Sequence, residues 1–192
     1  ALLNYLTRQG FSPAELERNG LVVARSGGGG YYDRFRHRLI FPISDHTGQV
    51  VGFGGRAIGQ DNPKYLNSPE NRFFDKGKIL FGLHLARQSI QTQQQAVIVE
   101  GYVDALMCHQ HGINNVVASM GTALTVSQIQ LILRYAPEVI LAYDTDTAGQ
   151  VAALRASGLI RSLGGRVRIV SQIEDKDPDE IIKKQGVDYF RN

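Results

Sequence analysis

Cysteine is nearly absent from this 192-residue chain: Cys108 stands alone. A single thiol excludes an internal disulfide and a zinc site built from several cysteines, so any zinc module has to lie outside this sequence. No apolar run approaches the ~18 residues a membrane-spanning helix needs, and Ala1 to Gly10 lacks the charged-then-apolar order of a secretory signal. These absences lead us to expect a cytoplasmic protein with no membrane partner. The glycine run Gly27 to Gly30 is not followed by Gly-Lys-Ser/Thr, which excludes a phosphate-binding loop of the P-loop kind and leaves a flexible turn. No internal repeat is present.

Hydrophobic side chains make up 43% of the residues, enough to bury a core in one domain or two small ones. Net charge is only +3, but it is unevenly placed. Residues 1–92 hold 12 Lys/Arg against 7 Asp/Glu, and residues 93–192 hold 9 against 11. A basic half followed by an acidic half suits a polyanion-binding surface beside a metal-binding one, although solvated surface charge gives the same counts.

The first half reads as short strands over 21–25, 38–44 and 50–58, rich in Val, Ile and Phe and separated by turns. Ser12-Pro13-Ala14-Glu15 has the order of a helix-starting capping box with proline at the first helical position. A helix is expected over 80–91. It ends in Gln91-Thr92-Gln93-Gln94-Gln95, where we place the boundary between subdomains 1–92 and 93–192. Beyond it strands at 96–99, 115–118, 138–143 and 166–170 alternate with helices at 103–111, 126–135 and 148–163. This βαβ alternation predicts a parallel sheet flanked by helices, following a mixed α+β subdomain.

Ligands of such sheets gather beyond the carboxyl ends of the strands, and the residues there are acidic. Glu100-Gly101-Tyr102-Val103-Asp104 follows one strand and Asp144-Thr145-Asp146 another. Carboxylates two residues apart at a strand end can reach one cation, and hard Mg²⁺ prefers oxygen ligands. Crowded carboxylates also need a counter-cation. Acidic residues at helix starts are equally explained by the helix dipole, and Asp177-Pro178-Asp179 is explained in part as a cap. Met107 and Cys108 read as helix packing.

Glu100-Gly101-Tyr102-Val103-Asp104, then Tyr143-Asp144-Thr145-Asp146-Thr147-Ala148-Gly149, then Asp177-Pro178-Asp179 resemble the three acidic motifs of the TOPRIM domain. The resemblance implies that Glu100 does acid-base or metal-binding work and that Asp144 and Asp146 hold Mg²⁺ or Mn²⁺. Asp104, Asp177 and Asp179 would be supporting members. TOPRIM domains occur in topoisomerases, nucleases and primases, and the first half chooses among them. Tyr32-Asp33-Arg34-Phe35-Arg36-His37-Arg38-Leu39-Ile40-Phe41-Pro42-Ile43, Gly52-Phe53-Gly54-Gly55-Arg56 and Pro63-Lys64-Tyr65-Leu66-Asn67-Ser68-Pro69-Glu70 are similar to signatures of DnaG-type bacterial primases. Phe74-Asp75-Lys76-Gly77 through Leu80-Phe81-Gly82-Leu83 fits as well.

That family implies a DNA-directed RNA polymerase that makes RNA primers from ribonucleoside triphosphates on single-stranded DNA. It also implies contact with the replicative helicase through a region absent here, and zinc only in a module absent here. The residues support a polyanion track independently of the family. Arg36 and Arg38, read as alternating along one strand, would share a face toward phosphates. Arg56, Lys64 and Lys76 would extend the track, with Tyr65 as a stacking surface. The glycines at 52, 54 and 55 would admit close backbone approach. The remaining readings are a nuclease or topoisomerase fragment and a nucleic-acid-binding fragment without turnover.

Overall fold

A computed structural model describes residues 2–121, 123–144 and 146–170. The chain divides into two compact units. The first comprises the residues up to Ile43 together with Val50–Asp75; the second comprises Ser44–Gln49 and the chain from Lys76 onward.

The first unit opens with helices α1 (Leu2–Arg8) and α2 (Pro13–Arg18), followed by strands β1 (Val22–Ala24), β2 (Tyr31–Asp33), β3 (Arg38–Ser44), β4 (Val50–Ala57) and β5 (Tyr65–Asn67). The capping box read from the sequence is formed. The Glu15 N–H donates to the Ser12 hydroxyl at 3.3 Å, and the Ser12 N–H donates to the Glu15 carboxylate at 2.8 Å. Strands β1 and β2 pair antiparallel around the glycine turn. There Gly27, Gly28 and Gly30 take positive φ, which a side chain would resist. Helix α1 was not anticipated; the Asp33 carboxylate at the end of β2 accepts the Leu2 and Leu3 N–H groups at 2.8 Å each and so caps it. Strands β3, β4 and β5 form a separate three-stranded sheet in that order.

The second unit contains a single 3-10 turn (Lys76–Lys78), then α3 (Leu83–Gln93), β6 (Gln95–Val99), α4 (Tyr102–Gln110), β7 (Val116–Ala118), α5 (Val126–Leu133), β8 (Glu138–Leu141), α6 (Thr147–Ser162) and β9 (Arg166–Ile169). Among the described residues its four strands are all parallel, in the order β7-β6-β8-β9. The two-residue period of β6 separates its faces. Ala96 and Ile98 point into one core with Val117, Val139 and Leu141 of the neighbouring strands, and with Ile129 and Ile132 of α5 and Ala153, Ala156 and Ile160 of α6. Val97 and Val99 alternate with them and are also buried, on the face that α4 covers with Ala105 and Cys108. Each fully buried aliphatic side chain contributes on the order of 1.5–3 kcal/mol. Both faces are therefore covered, as the apolar strands predicted. Cys108 is packing; Met107, beside it on α4, is half-buried.

Helix α3 departs from expectation. Leu83, Ala86 and Ile90 recur at helical spacing and enter the core of the parallel sheet, so α3 belongs to the second compact unit. Compactness thus divides the chain near residue 75, earlier than the glutamine run suggests. Among the described residues no helix is long and apolar enough to cross a membrane.

Candidate active site

The strand order creates the site. Chain progression moves from β6 to β7 on one side and then returns past β6 to β8, so the order reverses between β6 and β8, where α/β sheets open a crevice at their carboxyl ends. Ile98 is in register with Leu141 across that pair. Glu100 and Asp144, 44 residues apart, therefore emerge side by side. The Asp144 N–H donates to Glu100 Oε1 at 3.2 Å. Glu100 is half-buried, and its carboxyl is raised above the ordinary range, first by burial and then by the negative charges of Asp144 and Asp146, with the Asp144 N–H opposing. The neighbouring Tyr143 hydroxyl is pushed up to about 12 by burial and by Glu100, against a smaller opposing effect of the Ser119 hydroxyl.

Asp146 is the N-cap of α6, and Oδ1 accepts the Gly149 N–H at 2.7 Å. Asp104 works from the other side of the cap: at the third position of α4 it reaches back to accept the N–H of the N-cap residue Gly101 at 3.1 Å. Both carboxylates thus carry the helix-start role that the sequence allowed. Asp146 also adds charge at Glu100. Asp177 and Asp179 lie outside the described residues.

The donor set fits a hard divalent cation: every candidate atom is oxygen, and the like charges that raise Glu100 are those a cation would relieve. Among the described residues no three His, Cys, Asp or Glu side chains already stand together as a cage. Mg²⁺ characteristically uses one or two carboxylates with water and substrate phosphates making up the rest, so the Glu100–Asp144 pair with Asp146 at its rim is a suitable starting set.

The basic residues of the first unit frame a cleft of about 390 Å³ lined by Tyr32, Arg34, Arg36, His37, Arg38 and Asp61 among others. Arg36 and Arg38 do not alternate along a strand. His37 between them has φ 50°, a left-handed bend, and β3 begins only at Arg38. Arg36 lies over the Tyr32 ring at 4.4 Å, whereas Arg38 donates to the Pro63 carbonyl at 2.7 Å. Arg38 therefore ties the β4–β5 connection while lining the cleft. Arg56 and Tyr65 are cross-strand partners, and Arg56 and the exposed Lys64 each approach the Tyr65 ring at 5.8 Å, within cation–π range. The expected close backbone approach at the glycine cluster is already taken: a side chain at Gly52 would meet the Phe74 ring, and one at Gly55 the Phe35 ring. Lys76 falls in the second unit, at the 3-10 turn.

A family model described as the DNA primase catalytic core, N-terminal domain, matches residues 1–87, and one described as Toprim-like matches residues 97–182. The DNA primase of Clostridium acetobutylicum is 47% identical over 98% of this chain, which spans 31% of that relative. The crystal structure of the Aquifex aeolicus primase (zinc binding and RNA polymerase domains) superposes with a TM-score of 0.91 at 42% identity, covering 99% of this chain and 47% of that one. A structure of the DnaG primase catalytic domain bound to ssDNA gives 0.88 at 41% identity, covering 98% and 60%.

This chain belongs to the bacterial DnaG-type primases.

It spans about a third or less of the length of the curated primases it matches, 31%, 28% and 32% for three of them. Divalent metal use accompanies the Toprim-like half of a primase. Three groups in this primase chain escaped the sequence reading. Arg34, inside the quoted Tyr32 to Ile43 segment, donates through Nε and Nη2 to the Asn67 carbonyl at 3.3 and 3.1 Å and so joins that segment to β5. Tyr143 and Ser119 follow β8 and β7, the two strands that flank β6, and Tyr143 feels the charge of Glu100; only Tyr143 lay within a recognisable motif. Gln128 of α5, fully buried, donates to the Lys76 and Ile79 carbonyls at 3.0 and 2.8 Å; the Thr125-Val126-Ser127-Gln128 capping-box order marks it as part of a helix start, not as a contact to that turn.

Proposed function

We propose that the chain carries the nucleotidyl-transfer centre of a primase, which joins ribonucleoside triphosphates into RNA primers on single-stranded DNA during replication. The observation that carries this reading is the bond from the Asp144 N–H to the Glu100 carboxylate, which joins two motif residues at the switch point of a Toprim-like sheet. Glu100, Asp144 and Asp146 are the catalytic and metal-holding residues, with Asp104, Asp177 and Asp179 supporting. A bound Mg²⁺, or Mn²⁺ in its place, supplies charge neutralisation for the triphosphate and activation of the attacking hydroxyl. The chain's own part is positional. Glu100 is fixed by a backbone N–H from the next strand, and Asp146 by the first turn of α6, so the carboxylates need little rearrangement to receive a cation.

Arg36, Arg38, Arg56, Lys64, Tyr65 and Lys76 serve the template, with Tyr65 stacking on bases and the cations meeting phosphates. In this division residues 1–92 guide DNA and residues 93–192 hold metal. The replicative helicase and any zinc belong to regions outside this sequence, and the setting is the cytoplasm. Two measurements test the reading together: Mn²⁺ titration followed calorimetrically, and incorporation of labelled ribonucleotide on a single-stranded template. Saturable Mn²⁺ binding with metal-dependent, template-dependent RNA synthesis is expected. Strand scission in place of synthesis would move the chain to a nuclease or topoisomerase reading, and binding of DNA with neither metal binding nor synthesis would make it a binding fragment.

A further inference from the structure

Gly149 is buried at the third position of α6, and its N–H is the one that Asp146 accepts. Its backbone lies against the Asp144 peptide. A Cβ built there would overlap the Asp144 carbonyl oxygen, stand 3.0 Å from the Asp144 carbonyl carbon and 3.1 Å from Glu100 Oε1. The obstacle is backbone, which cannot swing aside as the end of a flexible side chain would. The obstructed residue is the same Asp144 whose N–H holds Glu100. Gly149 has no positive φ, so the conformation itself does not call for glycine. Alanine is the better helix former, and within an isolated helix the exchange would be favourable. Glycine at 149 is explained by the space and not by the turn. Gly158 on the same helix provides the contrast: a Cβ there meets nothing within 4 Å.

We propose that Gly149 is a positioning residue, whose missing side chain sets the spacing of Glu100 and Asp144 and thereby the affinity of the site for a divalent cation. A methyl group at 149 pushes on the Asp144 carbonyl, shifts the Asp144 backbone with it, lengthens or breaks the bond from the Asp144 N–H to Glu100, and spreads the carboxylate pair. No ligand atom is removed. The consequence is a weaker metal site on an intact helix, with a reaction that recovers when metal is abundant. This rests on the metal-site reading above.

The test compares the parent chain, Gly149→Ala, Gly158→Ala, Glu100→Gln and the Glu100→Gln/Gly149→Ala double variant, with Mn²⁺ as the probe. Far-UV circular dichroism checks the fold, calorimetric titration gives the Mn²⁺ dissociation constant, and ribonucleotide incorporation is followed against metal concentration. Gly149→Ala should raise the dissociation constant by about tenfold or more, the range seen when groups behind metal ligands are altered. Half-saturating metal for incorporation should rise with it while the maximal rate at high metal is largely kept, a split that a general structural defect would not give. Gly158→Ala should match the parent. In the Glu100→Gln background the Gly149 substitution should add much less than it does alone, because the pair it spaces is already broken. Parental Mn²⁺ affinity in Gly149→Ala overturns the proposal and leaves the metal site standing. Full additivity with Glu100→Gln overturns it too, because the glycine then acts independently of that pair, as does unfolding of Gly149→Ala beside a folded Gly158→Ala, which makes the glycine a requirement of the fold. A parent that binds no Mn²⁺ instead defeats the metal-site reading itself.

Discussion

Asp144 and Asp146 are two residues apart but do different structural work, and alanine at each should reveal it. Asp144→Ala removes a charge that burdens Glu100 and leaves helix α6 capped. Asp146→Ala also relieves charge but deletes the cap on Gly149, at a cost of about 1 kcal/mol. Both variants should lose primer synthesis, with thermal midpoints ranking Asp144→Ala above Asp146→Ala. Near-parental synthesis by both at limiting Mg²⁺ would contradict the assignment. Glu100→Gln makes a separate prediction about pH. Burial first, and then Asp144 and Asp146, raise the Glu100 carboxyl in the folded state, so its ionised form disfavours folding. That penalty is fully present above the unfolded pKa of an ordinary glutamate and the folded pKa, and it disappears as pH falls below both. In metal-free buffer Glu100→Gln should therefore have the higher denaturation midpoint at pH 7, with the gap closing in acid; a gap that widens in acid has the wrong sign. Glu100 and Asp144 were legible because residue type and place after a strand both pointed to them. The bend at His37 was not, since a left-handed backbone at a residue other than glycine leaves little trace in sequence.

Among the elements, the strands and helices of the parallel sheet were readable because apolar runs of strand length alternate with longer amphipathic stretches; β6, α4, β7, α5, β8, α6 and β9 all fall within a few residues of their expected bounds. Strands β2 and β5, three residues each, were not, because their existence depends on distant partners: Tyr32 on Val23, and Tyr65 on Arg56. Helix α3 was found, but its packing against the parallel sheet was not legible, since its period shows that one face is buried and not what buries it. The same limit hid Gln128. Its amide donates to two carbonyls in the 76–79 turn and its oxygen accepts the Thr125 N–H, and Gln128→Leu would keep the volume while removing all three bonds. We expect a loss of about 1–3 kcal/mol in chemical denaturation from leaving buried acceptors unmet. An unchanged midpoint would mean that this turn contributes nothing to the stability of the second unit.

Across the whole molecule the charge division is the feature with a solution signature. Single-stranded DNA binding should weaken with salt, each direct phosphate contact adding about 0.7 to the steepness of log affinity against log salt. Arg36→Ala, Arg56→Ala and Lys64→Ala should each lower that slope by up to one such contact, measured by fluorescence anisotropy from low to moderate salt. Arg38→Ala is expected to differ, because it also releases the Pro63 carbonyl and so combines lost contact with a loosened β4–β5 connection. Unchanged slopes in the first three would place the template elsewhere. The central claim is that the carboxyl edge between β6 and β8 gathers a divalent cation. Crystals soaked in Mn²⁺ test it directly through anomalous scattering. The account predicts a peak in contact with the carboxylates of Glu100 and Asp144, at about 2.0–2.2 Å from their oxygens as for a small divalent ion; a peak elsewhere, with these two carboxylates turned apart, would contradict it.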